Sequence, residues 1–238
     1  MAEPLLTIEG LSAGYDDVRV LWDISLSVEG GEITCIVGSN GAGKTTLLRT
    51  ISGLVPPNSG RLRFLGEDIT GLAADQVLAR GIVHVPEGRR LFRGLNVRDN
   101  LLLGAYLRRD DAEVRRDLDY VLTLFPILRE RQRQDAITLS GGEQQMCAIA
   151  RGIMSRPKLL MIDELSLGLA PRLVERLSEA LLEINRTGIA ILLVEQDVMT
   201  ALEIATHGLI IETGRVSKHG TTKALADDPA IRQAYLGM

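Results

Sequence analysis

The chain has 238 residues, 45% of them hydrophobic, with a formal charge of −4 and a pI near 5.5. That supplies one full core, or one core with a small appended unit, and the dispersal of Lys and Arg among acids gives no electrostatic case for a nucleic-acid partner. No uncharged apolar stretch approaches the ~18 residues needed to span a bilayer.

The start, "MAEPLLTIEG", has neither a basic opening nor a long apolar run, so no signal peptide is expected. "ITCIV" (33–37) reads as a buried strand, followed by a glycine-rich turn and a helix from Lys44 that stops near Gly53. "PPNSG" (56–60) reads as a turn, and "RLRFLGEDI" as short strands of an antiparallel layer. "IVHV" (82–85) is another strand, ended by Pro86. From about 95 to 155 the pattern is helical, with apolar residues at helical spacing in "VRDNLLLGAYLRR" and "AEVRRDLDYVLTLF". The arginine groups at 108–117 and 129–134 read as solvated helix faces. "KLLMID" (158–163) restores the strand pattern. Pro171 opens a helix with apolar Leu173, Val174, Leu177, Leu181 and Ile184. "IAILLVE" is the next strand, "GLIIETGRVSKHG" a hairpin turning at Thr213-Gly214, and "PAIRQAYLGM" a short helix. Cys35 and Cys147 sit in apolar runs and read as small core residues, not as a disulfide or metal pair, which suits a reducing compartment. The expected fold is α/β: a parallel core (1–90 and 157–238) with a small β layer, interrupted by a helical subdomain over about 91–156.

"GSNGAGKT" (38–45) matches G-x-x-x-x-G-K-[ST], between a predicted strand and a predicted helix. Gly38, Ser39, Asn40, Gly41, Ala42 and Gly43 would turn backbone N–H groups toward a phosphate chain. Lys44 would reach the β- and γ-phosphates and Thr45 would ligate Mg²⁺, with Thr46 a second hydroxyl of the loop. "LLMIDE" (159–164) ends an apolar strand in two acids. Asp163 can hold the Mg²⁺ shell, and Glu164 can polarise the water that attacks the γ-phosphate. In "LSGGEQQ" (139–145), Ser140 and Glu143 have capping-box spacing. A helix N-terminus behind Gly141 and Gly142 makes a second anion site.

Together these three motifs resemble the ATP-binding subunits of ABC transporters, over nearly the whole chain. The resemblance implies a P-loop NTPase fold with a RecA-like parallel sheet, an N-terminal antiparallel β layer and an inserted helical subdomain, in one ABC domain over 1–238. It implies that Ser140, Gly141, Gly142 and Glu143 face, in trans, an ATP bound by a second ATPase subunit, either a different one or another copy. It also places Tyr15, 23 residues before Gly38, as the aromatic that stacks on adenine.

"VPEGRRLFRGLNVRDNLLLGA" (85–105), "LSLGLAP" (165–171), "LLVEQD" (192–197) and "IRQAYLG" (231–237) are similar to LivF-type subunits of branched-chain amino-acid importers. The implied role is ATP hydrolysis coupled to solute uptake, on the cytoplasmic face of the bacterial inner membrane. Two permease subunits would carry the solute and a periplasmic binding protein would select it. Relatives that serve urea or short amides share these features, and a nucleotide-gated dimerisation module with little hydrolysis is a further alternative. The usual ABC pattern has Gln where this chain has Glu87, Pro where it has Leu165, Asp where it has Ala170 and His where it has Gln196. Glu87 can ligate Mg²⁺, and Gln196 can donate a hydrogen bond to the γ-phosphate but carries no charge. Glu195 reads as structural and Asp197 as the cap of the following helix.

Overall fold

The computed structural model describes residues 3–236. Two sheets are stacked. The first is antiparallel, in the order β2 (Val18–Val28), β1 (Leu6–Tyr15), β4 (Pro57–Phe64), β5 (Glu67–Asp68). The second has the order β10 (Arg215–Thr221), β9 (His207–Glu212), β3 (Ile33–Val37), β8 (Ala190–Glu195), β7 (Leu159–Asp163), β6 (Ile82–Val85). Its strands from β9 to β6 run parallel, with β10 antiparallel at the edge. β3, β7 and β8 are buried along their whole length, which explains their unbroken apolar runs.

One apolar core lies between the two sheets and takes in α1 (Lys44–Ile51); α2 (Ala74–Ala79) contributes Val77. The other lies on the opposite face of the parallel sheet, under the helical stretch: α3 (Val97–Leu103), α4 (Asp111–Leu124), α5 (Pro126–Glu130), a 3₁₀ turn (Ala136–Thr138) and α6 (Gly141–Ile153). α7 (Pro171–Arg186) and α8 (Val198–Ile204) join it. In α7, Leu177, Leu181 and Ile184 are buried, Leu173 packs at the margin and Val174 is half-buried. α9 (Thr222–Asp227), α10 (Pro229–Ile231) and a π turn (Arg232–Leu236) follow; the last two residues of the expected C-terminal helix lie outside the described residues. Both cysteines are in the core, and burial pushes the Cys35 thiol up to about 12 and Cys147 up to about 11.

Two expectations are corrected. Residues 57–60 are not a turn but the bulged start of β4, paired through Pro57 with Ala13 and through Ser59 with Ser12. Proline is tolerated at a strand's first residue, and Gly60, at φ +92°, supplies the left-handed backbone of the irregularity. Arg108 is not on a solvated face either. Its side chain is 14% exposed, donates to Met154 O at 2.9 Å and pairs with Asp117 at 2.6 Å, and Asp117 also holds Arg156. Charges at helical spacing look alike in sequence whether they meet water or a partner from a distant loop.

The register of the parallel sheet decides where chemistry can occur. Val37 lies opposite Glu195, and Asp163 opposite Val194, so β3, β7 and β8 end at one edge. β6 ends one strand further, with Val85 opposite Ile162. The loops leaving these four strands therefore emerge side by side, where open α/β sheets bind ligands.

Candidate functional site

The loop leaving β3 carries residues 38–43 into α1. Gly43 caps the helix with φ +105°, a left-handed conformation, and a Cβ there would stand 2.8 Å from Leu21 Cδ2. The β9–β10 hairpin braces this loop. Its turn residues, Thr213 and Gly214, both have positive φ, the geometry of a type I′ turn. Gly214 N–H donates to Ala42 O at 2.9 Å, and its carbonyl accepts from Trp22 N–H at 2.8 Å. The phosphate-loop sequence is thus held between the two sheets.

Asn40, Gly41, Gly43, Lys44, Thr45, Thr46, Glu87, Glu164 and Gln196 line one cavity of about 490 Å³, together with Val20 and Leu167. The structure brings together residues that the sequence separates by more than 150 positions. Lys44, only 5% exposed, donates to Gly38 O at 2.7 Å and Ser39 O at 3.2 Å, and its Nζ stands 3.7 Å from Glu164. Thr45 Oγ1 donates to Asp163 Oδ1 at 3.2 Å. Asp163 Oδ2 is buried without a hydrogen-bond partner. An orphaned carboxylate oxygen beside a hydroxyl and a second acid is a hard-oxygen set that suits Mg²⁺. Among the described residues, no group of three or more His, Cys, Asp and Glu could hold a metal ion.

Burial pushes the Asp163 carboxyl upward; the Thr45 bond opposes this, and the nearby Glu87 charge adds to it. Burial also raises Glu164, against the pull of Lys44, with Asp163 and Glu87 adding to the rise. A carboxylate so raised is a stronger base than one in water. Glu164 has φ +59°, uncommon for a residue with a side chain. Its N–H is held by Val194 O at 2.9 Å. Glu195 is fully buried, and both its oxygens accept from Ser166: the backbone N–H at 2.9 Å and the hydroxyl at 2.9 Å. Asp197 caps α8 through Met199 N–H and Thr200 N–H.

The remaining expected site residues lie apart. Tyr15, at the end of β1, does not line the cavity. It is 39% exposed, and its hydroxyl accepts from Arg49 at 3.1 Å. Ser140 caps α6 in a capping box: its N–H donates to Glu143 Oε2 at 2.8 Å, and its hydroxyl accepts from Glu143 N–H at 3.5 Å. None of Ser140, Gly141, Gly142 and Glu143 lines the cavity, and Arg131 stands 3.3 Å from Glu143. The guanidinium of Arg89 approaches within 3.2 Å of where a side chain on Gly141 would begin.

Sequence reading missed the links between these parts. Arg89 and Arg90 both have positive φ, and Arg151 of α6 holds both their carbonyls, at 3.2 and 2.8 Å. The Arg151 guanidinium also lies 5.3 Å from the centre of the Phe92 ring. The segment that carries Glu87 is therefore tied to the helix that begins at Gly141. Nothing local in "IARGI" marks Arg151 for this, since its partners are two unremarkable carbonyls. Val20 and Leu167 were missed because apolar cavity walls have no motif.

The sequence pattern of the family described as ABC transporter matches residues 21–166. Curated relatives include the high-affinity branched-chain amino acid transport ATP-binding protein BraG of Pseudomonas aeruginosa, 44% identical over 98% of this chain and 100% of that protein. They also include the probable branched-chain amino acid transport ATP-binding protein LivF of Archaeoglobus fulgidus, 36% identical over 96% of this chain and 97% of that one. Among solved structures, the ADP conformation of an ATP-binding cassette of an ABC transporter superposes with a TM-score of 0.83, at 25% identity, over all of both chains.

Proposed function

The chain belongs to the ABC transporter family of ATP-binding subunits, and on that premise we propose that it hydrolyses ATP to drive import of branched-chain amino acids. The observation that carries this reading is the 44% identity, end to end, with a branched-chain amino acid transport ATPase.

In this reading the N–H groups of residues 38–43 and the ammonium of Lys44 bind the β- and γ-phosphates of ATP. Tyr15 stacks on the adenine at the edge of the site. Asp163, Thr45 and Glu87 would hold Mg²⁺, which would supply charge neutralisation at the phosphate oxygens. Glu164 accepts a proton from the attacking water, and its raised basicity suits that task. Gln196 donates its amide N–H to the γ-phosphate. The start of α6, with Ser140, Gly141, Gly142 and Glu143, meets the nucleotide of a second ATPase subunit, a different chain or another copy of this one. Residues 91–156 act as the helical subdomain of a single cassette.

No helix among the described residues is long and apolar enough to cross a membrane. By likeness to the transport ATPases among its relatives, the solute pathway is assigned to two separate permease subunits, with a periplasmic binding protein selecting the solute and this chain sitting peripherally on the cytoplasmic face. The surface proposed to meet a permease is an apolar groove of about 680 Å³ between α2, β6, α3 and α6. Exposed Leu78, Phe92, Leu103, Tyr106 and Leu107 surround it. A soluble surface seldom exposes so many large apolar side chains together without a partner. Arg151 lines the same groove and holds the segment bearing Glu87, which gives a physical route from membrane partner to ATP site.

The test is uptake of labelled leucine, isoleucine and valine, and of urea, by cells lacking this chain, before and after it is restored. Branched-chain uptake that is lost and regained is the expected result. Urea uptake that follows the chain while leucine uptake ignores it overturns the solute assignment.

A further inference from the structure

The cavity contains two side chains that must be aimed without direct support: Glu164 and Gln196. Neither side chain is held by a hydrogen bond from the scaffold, apart from the loose approach of Glu164 to Lys44 at 3.7 Å. Both are attached to backbone that Glu195 controls. Gln196 follows Glu195 directly. Glu164 lies two residues before Ser166, whose N–H and hydroxyl both donate to the Glu195 carboxylate.

Glu164 has the left-handed φ of +59°. Such a conformation is unfavourable for a residue with a Cβ. It persists only if the chain is pinned on both sides. On one side Glu164 N–H is bonded to Val194 O at 2.9 Å. On the other, Leu165 is fully buried, and Ser166 is bonded twice to Glu195. Glu195 is itself fully buried at the end of a central strand, so it is a rigid anchor. A buried carboxylate is costly unless its oxygens are satisfied, and here both are satisfied by the same residue. A small polar residue would fill a strand end more cheaply. The feature that accounts for an acid here is the fork: two acceptors facing two donors on one residue of the neighbouring turn.

We infer that Glu195 is a positioning residue for hydrolysis, its carboxylate clamping Ser166 so that Glu164 keeps its left-handed backbone and its aim into the cavity. This rests on the reading of Glu164 as the carboxylate that activates water. The clamp acts through geometry, not charge, which distinguishes it from a group that takes part in the chemistry. Glu195→Gln preserves the fork: the amide oxygen accepts from Ser166 N–H, and the amide nitrogen donates to the Ser166 oxygen once the hydroxyl rotates. Glu195→Ala removes it.

The experiment measures ATPase kcat and KM for the chain assembled with its partner subunits, together with ATP affinity by fluorescent nucleotide titration, in Glu195→Ala, Glu195→Gln, Ser166→Ala and the double Ala variant. An error of ~1 Å in aim is enough to cost 10²-fold in rate. Expected are at least a tenfold fall in kcat for Glu195→Ala with ATP affinity unchanged, kcat restored to near wild type in Glu195→Gln, and an intermediate fall in Ser166→Ala. The double variant should be no slower than Glu195→Ala, because the two changes remove one interaction. Should Glu195→Ala not fold, Ser166→Ala and Glu195→Gln still decide: an unchanged kcat in the first, or a collapsed kcat in the second, overturns the inference. Loss of ATP affinity in step with kcat overturns it as well, since that marks general damage. Glu164→Gln is the control on the underlying reading. If Glu164→Gln keeps its activity, the role of Glu164 fails; if Glu164→Gln is inactive and Glu195→Ala is not, only the clamp fails.

Discussion

The chain has two glycine-rich helix starts, and they are built differently. The one at residues 38–45 is enclosed. Lys44 is buried among loop carbonyls, and Glu87, Asp163, Glu164 and Gln196 close around it from three other strand ends. The one at residues 140–143 satisfies its own cap and stops there: Ser140 and Glu143 bond to each other, Arg131 and Arg89 stand near, and none of these residues lines the cavity. The first gathers a buried lysine, the Thr45 hydroxyl and the acids Glu87, Asp163 and Glu164. The second offers donors and positive charge to an anion but no water-activating group of its own. That difference fits the proposal that the start of α6 meets a nucleotide bound by another subunit.

The largest effect that sharpens this contrast comes from the enclosed site. Glu164→Gln removes the proposed base while leaving the phosphate loop intact, so kcat should fall by about 10²–10⁴-fold with ATP affinity preserved. Single-turnover ATPase and nucleotide titration on the same sample check it. A similar loss of affinity would mean that Glu164 holds the loop through Lys44.

The outward site is broken differently. Gly141 is the first residue of α6, where an acid is favourable to the helix. Gly141→Asp should therefore fold, and the isolated chain should bind ATP as before. In the assembled transporter the new charge would face a γ-phosphate, and a like-charge contact costs several kcal/mol, so ATPase should fall by at least about tenfold. Equal weakening of ATP binding in the isolated chain would show that the two helix starts are not separate sites.

A third prediction concerns stability around the enclosed site. Burial raises the Glu195 carboxyl to about 7 from an ordinary value of 4.5, with the Ser166 bonds opposing the rise and the Glu164 charge adding to it. The folded state thus holds this proton more tightly than the unfolded one. Its contribution to stability is full below about pH 4.5 and is lost as pH rises through about 7. The total is up to ~3 kcal/mol. Glu195→Gln has no such proton, so from pH 4.5 to 8 it should gain on the wild type by up to that amount. Urea unfolding at the two pH values measures the gap; a gap that does not change with pH would place the titration elsewhere.

Much of this was legible in the sequence because the phosphate loop, the strand-ending acids and the capping box each fix backbone and side chains within a few residues. "ITCIV", "LLMID" and "AILLVE" are strands by length and uniform apolarity, and their register then forces residues 38–45, 163–164 and 196 together. What sequence could not supply were contacts between distant segments with no local pattern. Arg151 grips two backbone carbonyls, Glu195 grips Ser166, and Arg108 turns inward to Met154 and Asp117. Residues 57–60 misled for a related reason: proline and glycine mark a turn or a strand bulge with equal force, and only the pairing with Ala13 and Ser12 distinguishes them.

The smallest expected effect concerns Gln196, where the usual ABC pattern has histidine. Its amide can donate one neutral hydrogen bond to a γ-phosphate. An imidazolium in its place would donate a charged one, and hydrogen bonds to charged groups are stronger than neutral ones by about 1 kcal/mol. The acids Glu87 and Glu164 on the cavity wall, with Asp163 beside Thr45, favour the charged form against the opposing charge of Lys44 on the same wall. Gln196→His should therefore fold, bind ATP unchanged and raise kcat by about two- to fivefold near pH 6.5. The gain should fade toward pH 8.5 as the imidazole loses its proton, while the wild type, with nothing to titrate at this position, shows no such fading from it. A pH profile of kcat for both proteins separates the cases. A gain that persists at pH 8.5 would credit shape over charge. No change at any pH would mean that the side chain at 196 does not reach the phosphate, and that the enclosed site works with the Lys44 and Glu164 pair alone.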